Sequence, residues 1–384
     1  MDNHTDTLII GAGPAGIAAA ITLQKAGISN VIIDRCKFPR NKTCGGLITN
    51  KTVRVLTELL ETDKAEDLSG VFCDESNFVE IYHNAKMSAC TETDLPFRFV
   101  KRYDFDNYLV DIYRKLGGTM YENERSYTLD LEGKNVVLSQ GNRISFENLI
   151  AADGALSPIR HMLGYKKPRH GFCIETHVSK EKVAFAERIK IYFGVVEKGY
   201  GWCFPSGDEC CVGLGGVYSK KINYTSIMNH FLVMLGISPE DCRLKGAFVP
   251  YGNVTCQNSG PENIVLAGDA GGFVDPIYGE GIYFAISSGM GAAKARLDSD
   301  GNLRSNFNTR MDSYVKIIKQ GTFLQKLFFG RFLKGFIIKK MHEKNSFIKY
   351  YCDNQISEYN YAYLKILELY KDYKREKRNN NKSL

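Results

Sequence analysis

No run of about 18 or more uninterrupted apolar residues occurs in the 384-residue chain, which argues against a membrane-spanning helix. The first apolar run, Leu8 to Ile10, is short and has no basic flank, so it does not read as a signal peptide. The 11 cysteines include no CxxC pair and the 7 histidines form no HExxH cluster, which removes the usual spacings for zinc and for a secreted disulfide framework. No metal is expected, and a reducing cytoplasm is the simplest location. No internal repeat is evident.

What remains is the composition of a globular protein, with 44% hydrophobic and 24% charged residues and a length suited to two domains or to one large domain carrying an insertion. The formal charge of +7 is unevenly placed. Residues 301–384 hold 18 Lys+Arg against 7 Asp+Glu, a net of +11, which leaves the first 300 residues at −4. The basic character belongs to the tail, so nucleic acid is not expected as a partner.

Thr7-Leu8-Ile9-Ile10 reads as a short buried strand, followed by Gly11-Ala12-Gly13-Pro14-Ala15-Gly16 and an alanine-rich helix, Ile17 to Ala26. This is GxGxxG in its required setting. Gly11 permits the tight turn, Gly13 lets a pyrophosphate approach the backbone, and Gly16 lets the helix lie close on the sheet, its N-terminus facing the phosphates. A second strand, Asn30 to Ile33, ends at Asp34, where a carboxylate can accept hydrogen bonds from a ribose, with Arg35 next to it. Two later strands run into polar turns: Leu149 to Ala152 into Asp153-Gly154-Ala155, and Asn263 to Ala267 into Gly268-Asp269-Ala270. Beyond Pro276, Gly279-Glu280-Gly281-Ile282 opens a helix whose free N–H groups suit negative charge.

These three segments, in this order, resemble the signatures of the FAD enzymes typified by p-hydroxybenzoate hydroxylase, over residues 1 to about 300. The resemblance implies an α/β fold in which an FAD-binding Rossmann-like domain carries an inserted antiparallel-sheet substrate domain and a C-terminal helical region. The corresponding boundaries are 1–68, 98–165 and 255–300 for the FAD domain, 69–97 and 166–254 for the substrate domain, and 301–384 for the helical basic region. It also implies that Asp269 holds the ribityl chain, that Asp153 lies near the pyrophosphate and the nicotinamide approach, and that the first turn around Gly279, Gly281 and Ile282 faces the reduced flavin. Arg102, at the start of an apparent helix, takes a cofactor contact from the resemblance and reads equally well as an exposed arginine near a helix start.

Two further segments resemble the geranylgeranyl reductase family, including its CbrA-type members: Phe38-Pro39-Arg40-Asn41-Lys42-Thr43-Cys44-Gly45-Gly46, and Tyr200-Gly201-Trp202-Cys203-Phe204-Pro205 with the only tryptophan of the chain. In that family a Cys-Gly-Gly loop lies by the flavin and a Tyr-x-Trp-x-Phe-Pro segment lines the substrate cavity, which places Cys44 and Gly45 at the cofactor and gives catalytic positions to Cys44, Tyr200 and Trp202. Read from the residues, Cys44 near Arg40 and Lys42 is either a proton-moving thiol or a small core residue. Tyr200 and Trp202, two apart on a strand, share one face that is either a pocket wall or an ordinary core face. Flavin halogenases carry a related Trp-x-Trp-x-Ile-Pro motif, but Tyr200 and Phe204 replace two of its members here.

The expected function is therefore FAD-dependent reduction of carbon-carbon double bonds in a prenyl chain or prenylated lipid, by hydride transfer from reduced flavin. The alternatives are an aromatic monooxygenase using NAD(P)H and oxygen, and a membrane-associated flavin-binding protein without turnover. Val212 to Val217 is superficially like a second fingerprint but alternates as a strand, so NAD(P)H is a transient visitor or electrons arrive from a protein donor. The Phe323 to Lys340 segment mixes apolar and basic residues, which suits either a peripheral membrane contact or packing on the FAD domain.

Overall fold

The computed structural model describes residues 3–329, apart from 64, 84, 167–168, 253, 256 and 299–301, together with residue 375. The part of the Phe323 to Lys340 segment beyond Phe329, and the expected helical stretch after it, lie outside the described residues.

The chain begins β1 (Asn3–Ile10), α1 (Pro14–Lys25), β2 (Asn30–Ile33), β3 (Leu47–Ile48), α2 (Asn50–Leu60), β4 (Asp74–His83), β5 (Lys86–Phe99) and α3 (Arg102–Lys115). It continues with β6 (Thr119–Tyr121), β7 (Thr128–Asp130), β8 (Asn135–Val137), β9 (Arg143–Ala151), α4 (Pro158–Met162), β10 (His170–Ser179), β11 (Ile189–Phe193), β12 (Gly199–Ser206) and β13 (Glu209–Val217). Last come α5 (Tyr224–Met234), β14 (Lys245–Pro250), β15 (Ile264–Leu266), α6 (Gly268–Gly271), α7 (Ile282–Leu297) and α8 (Leu303–Phe328). No helix among the described residues is long and apolar enough to cross a membrane.

Two sheets divide these strands. The seven-stranded sheet has the order β6-β2-β1-β9-β8-β7, with β15 also on β9. Its centre is parallel, β1 lying between β2 and β9. Parallel strands covered on both faces are apolar throughout, and β1 follows that rule: Ile9 packs into one core with Ile150 and Val265, while Leu8 and Ile10 face the other with Leu149 and Ala151. Helices α1 and α7 and part of α8 cover the Ile9 side.

The eight-stranded sheet has the order β14-β10-β13-β12-β11-β4-β5-β3. It is antiparallel except between β11 and β4. α5 covers one face with Met228, Phe231 and Leu232 packed on Val212 and Cys203. The opposite face looks towards the first sheet. The glycine-rich stretch Val212 to Val217 is strand, as its alternation predicts.

α8 presents Leu303, Phe307, Met311 and Ile318 to the core that it shares with α7, a spacing of four, four and seven that keeps them on one helical face. Near its end Leu324 joins the core under the eight-stranded sheet. The buried Gln325 amide donates to the Pro276 carbonyl, and Thr322 Oγ1 donates to the Gly252 carbonyl at 3.0 Å. The described part of the basic tail thus packs against the body.

Candidate active site

One cavity of about 650 Å³ runs between the sheets, from the end of β1 to the face of β12 that carries Tyr200, Trp202 and Phe204. Its first half is made of backbone. Gly11 has φ +100°, and a Cβ there would lie 2.4 Å from the Ala152 carbonyl oxygen, so the left-handed turn and the neighbouring strand both demand glycine. A Cβ on Gly16 would sit 1.8 Å from the Gly11 oxygen. At Gly13, by contrast, a Cβ would meet nothing nearer than Arg40 Nη2 at 3.8 Å, because that side opens into the cavity. α1 starts there without a side-chain cap, which leaves its first-turn amides for a ligand. Asp34 closes β2, its carboxylate accepting from the amides of Ala12 and Cys36, both at 2.7 Å.

The other cofactor-side residues come from the ends of β9 and β15 and from α7. Asp153 accepts from the Ile159 amide at 3.4 Å through Oδ2, while its Oδ1 is buried without a hydrogen-bond partner. Asp269 stands in α6. Burial pushes both carboxyls upward, and at Asp269 the positive charges of Lys42 and Arg102 oppose that shift. The loop before α7 is held from within: Asp275 Oδ1 accepts from the Ile277 and Tyr278 amides, both at 2.7 Å. It is also held from outside, because the Glu280 carboxylate pairs with Lys51 and accepts from Thr49 Oγ1 at 2.6 Å and Thr52 Oγ1 at 3.2 Å. Gly281 then opens α7 without a side-chain cap, so its first amides are available at the cavity wall.

Arg102 is the first residue of α3 and lines the cavity, but its side chain is largely buried, so the reading of an exposed arginine near a helix start does not hold. Its Nε and Nη2 grip Asp106 at 2.6 and 2.7 Å, and Arg40 joins the same carboxylate at 3.3 Å. Burial alone would lower the guanidinium, but Asp106 and the Cys44 sulfur raise it. Cys44 is fixed through its backbone, its amide donating to Glu175 Oε1 at 2.8 Å, while its Sγ accepts from the Gly46 amide at 3.5 Å.

The second half of the cavity is made of side chains in cross-strand rows. One row runs Ile81, Ile191, Trp202, Gly213, Glu175 along β4, β11, β12, β13 and β10, and the next runs Phe193, Tyr200, Gly215, Cys173. Residues in one row point to the same side of a sheet. Tyr200, Trp202 and Phe204 form a ladder along β12, Trp202 edge-on to Tyr200 at 6.0 Å and stacked on Phe204 at 6.3 Å. Gly213 makes the room: a Cβ there would lie 2.4 Å from Trp202 Cζ2. The Tyr200 hydroxyl donates to the Tyr278 carbonyl, which joins the ladder to the loop before α7, and burial raises the phenol far above its ordinary range. Trp202 Nε1 is buried with no hydrogen-bond partner.

Gly11, Gly13, Ala15, Asp34, Arg35, Cys44, Gly45, Arg102, Asp153, Tyr200, Trp202, Asp269, Gly279, Gly281 and Ile282 all line this cavity, and of the residues expected at the site Gly16 alone stands behind the wall. Sequence reasoning missed Glu175, a buried acid that also lines it. The signal was the alternation in β10, where Cys173, Glu175 and His177 share one face and the apolar Ile174 and Val178 the other.

The open cradle at Gly13, the uncapped helix starts and the orphaned Asp153 oxygen fit a dinucleotide cofactor, and the apolar half beside them fits a second ligand. Residues 4–192 match the model of the FAD binding domain family. The menaquinone reductase of Mycolicibacterium smegmatis is 29% identical over 323 residues, covering 77% of this chain and 76% of that protein. The geranylgeranyl diphosphate reductase of Rhodobacter capsulatus is 28% identical over 320 residues, covering 76% and 75%. The crystal structure of a geranylgeranyl bacteriochlorophyll reductase-like protein from Thermoplasma acidophilum superposes with a TM-score of 0.76 at 18% identity, over 89% of this chain and 91% of that one. The fold is that of the p-hydroxybenzoate hydroxylase-like flavoproteins. More narrowly, the chain is an FAD-dependent oxidoreductase with the geranylgeranyl and menaquinone reductases as its homologues.

Proposed function

We propose that the protein reduces carbon-carbon double bonds in an isoprenoid chain, free or attached to a lipid or quinone head. The single observation that carries this reading is the continuity of the cofactor cradle with an apolar chamber walled by Ile81, Ile189, Ile191, Phe193, Trp202 and Phe204. The names of the homologous reductases support the same substrate class. Bound FAD, once reduced, supplies the hydride. The residues named here do the rest. Gly11, Gly13, Ala15 and the first turn of α1 bind the pyrophosphate, Asp34 and Arg35 the ribose end, and Asp269 the ribityl chain, while the amides at Gly281 and Ile282 meet the negative charge of the reduced ring.

The aromatic ladder and the isoleucines bind the hydrocarbon, exclude water and orient the double bond. Tyr200 acts as a wall, since its hydroxyl is committed to the Tyr278 carbonyl. Cys44, in the loop held by Glu175, borders the chamber where a proton is needed. NAD(P)H or a protein donor serves as the transient reductant, and the +11 charge of residues 301–384 suits a peripheral contact with an anionic lipid surface from the cytoplasmic side.

Anaerobic mixing of the photoreduced protein with geranylgeranyl diphosphate, a geranylgeranylated glycerolipid or menaquinone should reoxidise the flavin and yield the saturated product. No reoxidation by any of them, together with phenol-stimulated NAD(P)H oxidation and oxygen uptake, would reverse the assignment in favour of a monooxygenase.

A further inference from the structure

Glu175, Cys211 and His177 form a polar path through the eight-stranded sheet's inner face that the reading above does not use. Each offers one atom of a set lying within 4.8 Å of one another, and Cys211 Sγ donates to Glu175 Oε2 at 3.8 Å. Glu175 is 4% exposed and borders the cavity, whereas His177 is exposed. In the cross-strand row only Gly213 separates Glu175 from Trp202, so no side chain of that row stands between the carboxyl and the chamber.

We propose that Glu175 is the proton store of the chamber and that His177, across Cys211, reloads it from solvent. This rests on the reductase reading for its use, though not for its existence. In the reaction the alkene π bond breaks, one carbon gains the hydride with two electrons, and the other gains the Glu175 proton as the flavin is oxidised by two electrons. The resulting carboxylate takes the Cys211 thiol proton as the sulfur takes one from protonated His177, and His177 is protonated again from solvent.

The surroundings favour a stored proton. Burial raises Glu175, and the Cys44 amide, the Cys211 thiol and the charges of Lys42 and Lys245 oppose that rise. Cys173, two residues back on β10, is raised to about 12 by burial and then by Glu175 itself, so it stays a thiol and brings no competing charge. Burial raises Cys211 too, which keeps it protonated beside the acid. At the outer end burial lowers His177, Glu209 at 3.7 Å raises it, and Lys101 and Lys245 lower it. A base that is mostly neutral at neutral pH can both accept and release a proton.

The test has one readout that needs no substrate. Infrared spectra of the protein, with FAD bound and oxidised, should contain a protonated-carboxyl C=O band that is lost in Glu175→Gln and that disappears on raising the pH above the usual glutamate range. In D2O its hydrogen–deuterium exchange should slow roughly tenfold or more in His177→Ala and His177→Gln and recover with added imidazole. In single turnovers with a prenyl substrate, Glu175→Gln should lose roughly a hundredfold in rate with substrate affinity retained. Absence of the band in the wild type, exchange unchanged in both His177 variants, or a stoichiometric divalent metal that is lost in Glu175→Gln would overturn the proposal. If the band and the imidazole rescue appear while no prenyl compound reoxidises the flavin, the relay stands and the substrate reading fails.

Discussion

Around β1 the cavity wall is backbone, and around β12 it is side chain. The first region recognises its ligand through amides, a positive-φ glycine and helix starts, gathered from the Gly11 to Gly16 turn and, far along the chain, from the Gly281 start of α7. The second recognises through cross-strand rows that collect one residue from each of four or five strands. Backbone recognition tolerates almost no change at the turn itself, because the cost of a misplaced Cβ falls on the main chain. Side-chain recognition spreads the cost over neighbours that can repack, so its substitutions should alter specificity before they alter folding.

The largest contrast should come from Gly16→Ala, whose methyl would lie 1.8 Å from the Gly11 oxygen. About 3 kcal/mol or more of stability should be lost with nearly all bound flavin, read from thermal midpoint and flavin absorbance. Gly213→Ala is the matched change in the other sheet, with its methyl 2.4 Å from the Trp202 ring. It should retain FAD, lose about 1–3 kcal/mol of stability and raise the KM for a prenyl substrate about tenfold. Equal loss of flavin in both variants would erase the distinction between the regions.

Asp269→Asn separates binding from folding within the first region. Burial raises this carboxyl above its ordinary value near 3.8, so the folded state holds its proton more tightly than the unfolded state. Its contribution to stability is complete below that ordinary value and is lost as pH rises through the folded one. The asparagine variant should therefore be more stable than wild type as apoprotein at neutral pH, with the gain vanishing towards pH 4, while FAD affinity falls about tenfold. Paired thermal and flavin titrations would check the opposite signs. The smallest effect belongs to Trp202→Phe, which keeps a ring and removes the unpartnered N–H; kcat/KM should fall only a few-fold. Because Trp202 is the sole tryptophan, its fluorescence in the wild type should report chamber filling directly.

The same contrast explains what could be read from the residues. The turn at Gly11 to Gly16, the acid Asp34 and the Gly279 to Ile282 helix start were legible because each needs particular residue types at fixed short spacing, whereas Asp153 and Asp269 were expected from the family resemblance. The Tyr200 and Trp202 face was legible as a face, since period two is local. Glu175 was not, because its meaning depends on register: only pairing with Gly213, and through it with Trp202, brings the acid into the chamber. Arg102 was legible as a helix start while its grip on Asp106 and its place at the cavity emerge from packing. For the basic tail, composition left two surfaces open, and the helical spacing of Leu303, Phe307 and Met311 settles the described part as cover for the core.

That cover has a consequence for how the molecule can be shortened. The last turns of α8 give Leu324 to the chamber's core and Gln325 to the Pro276 carbonyl, on the loop that leads to the flavin-side helix. The helix is thus a keystone shared by both walls. A truncation ahead of Phe323 would open the hydrocarbon chamber to water from behind and loosen the flavin-side loop in the same cut, whatever the remaining basic residues do.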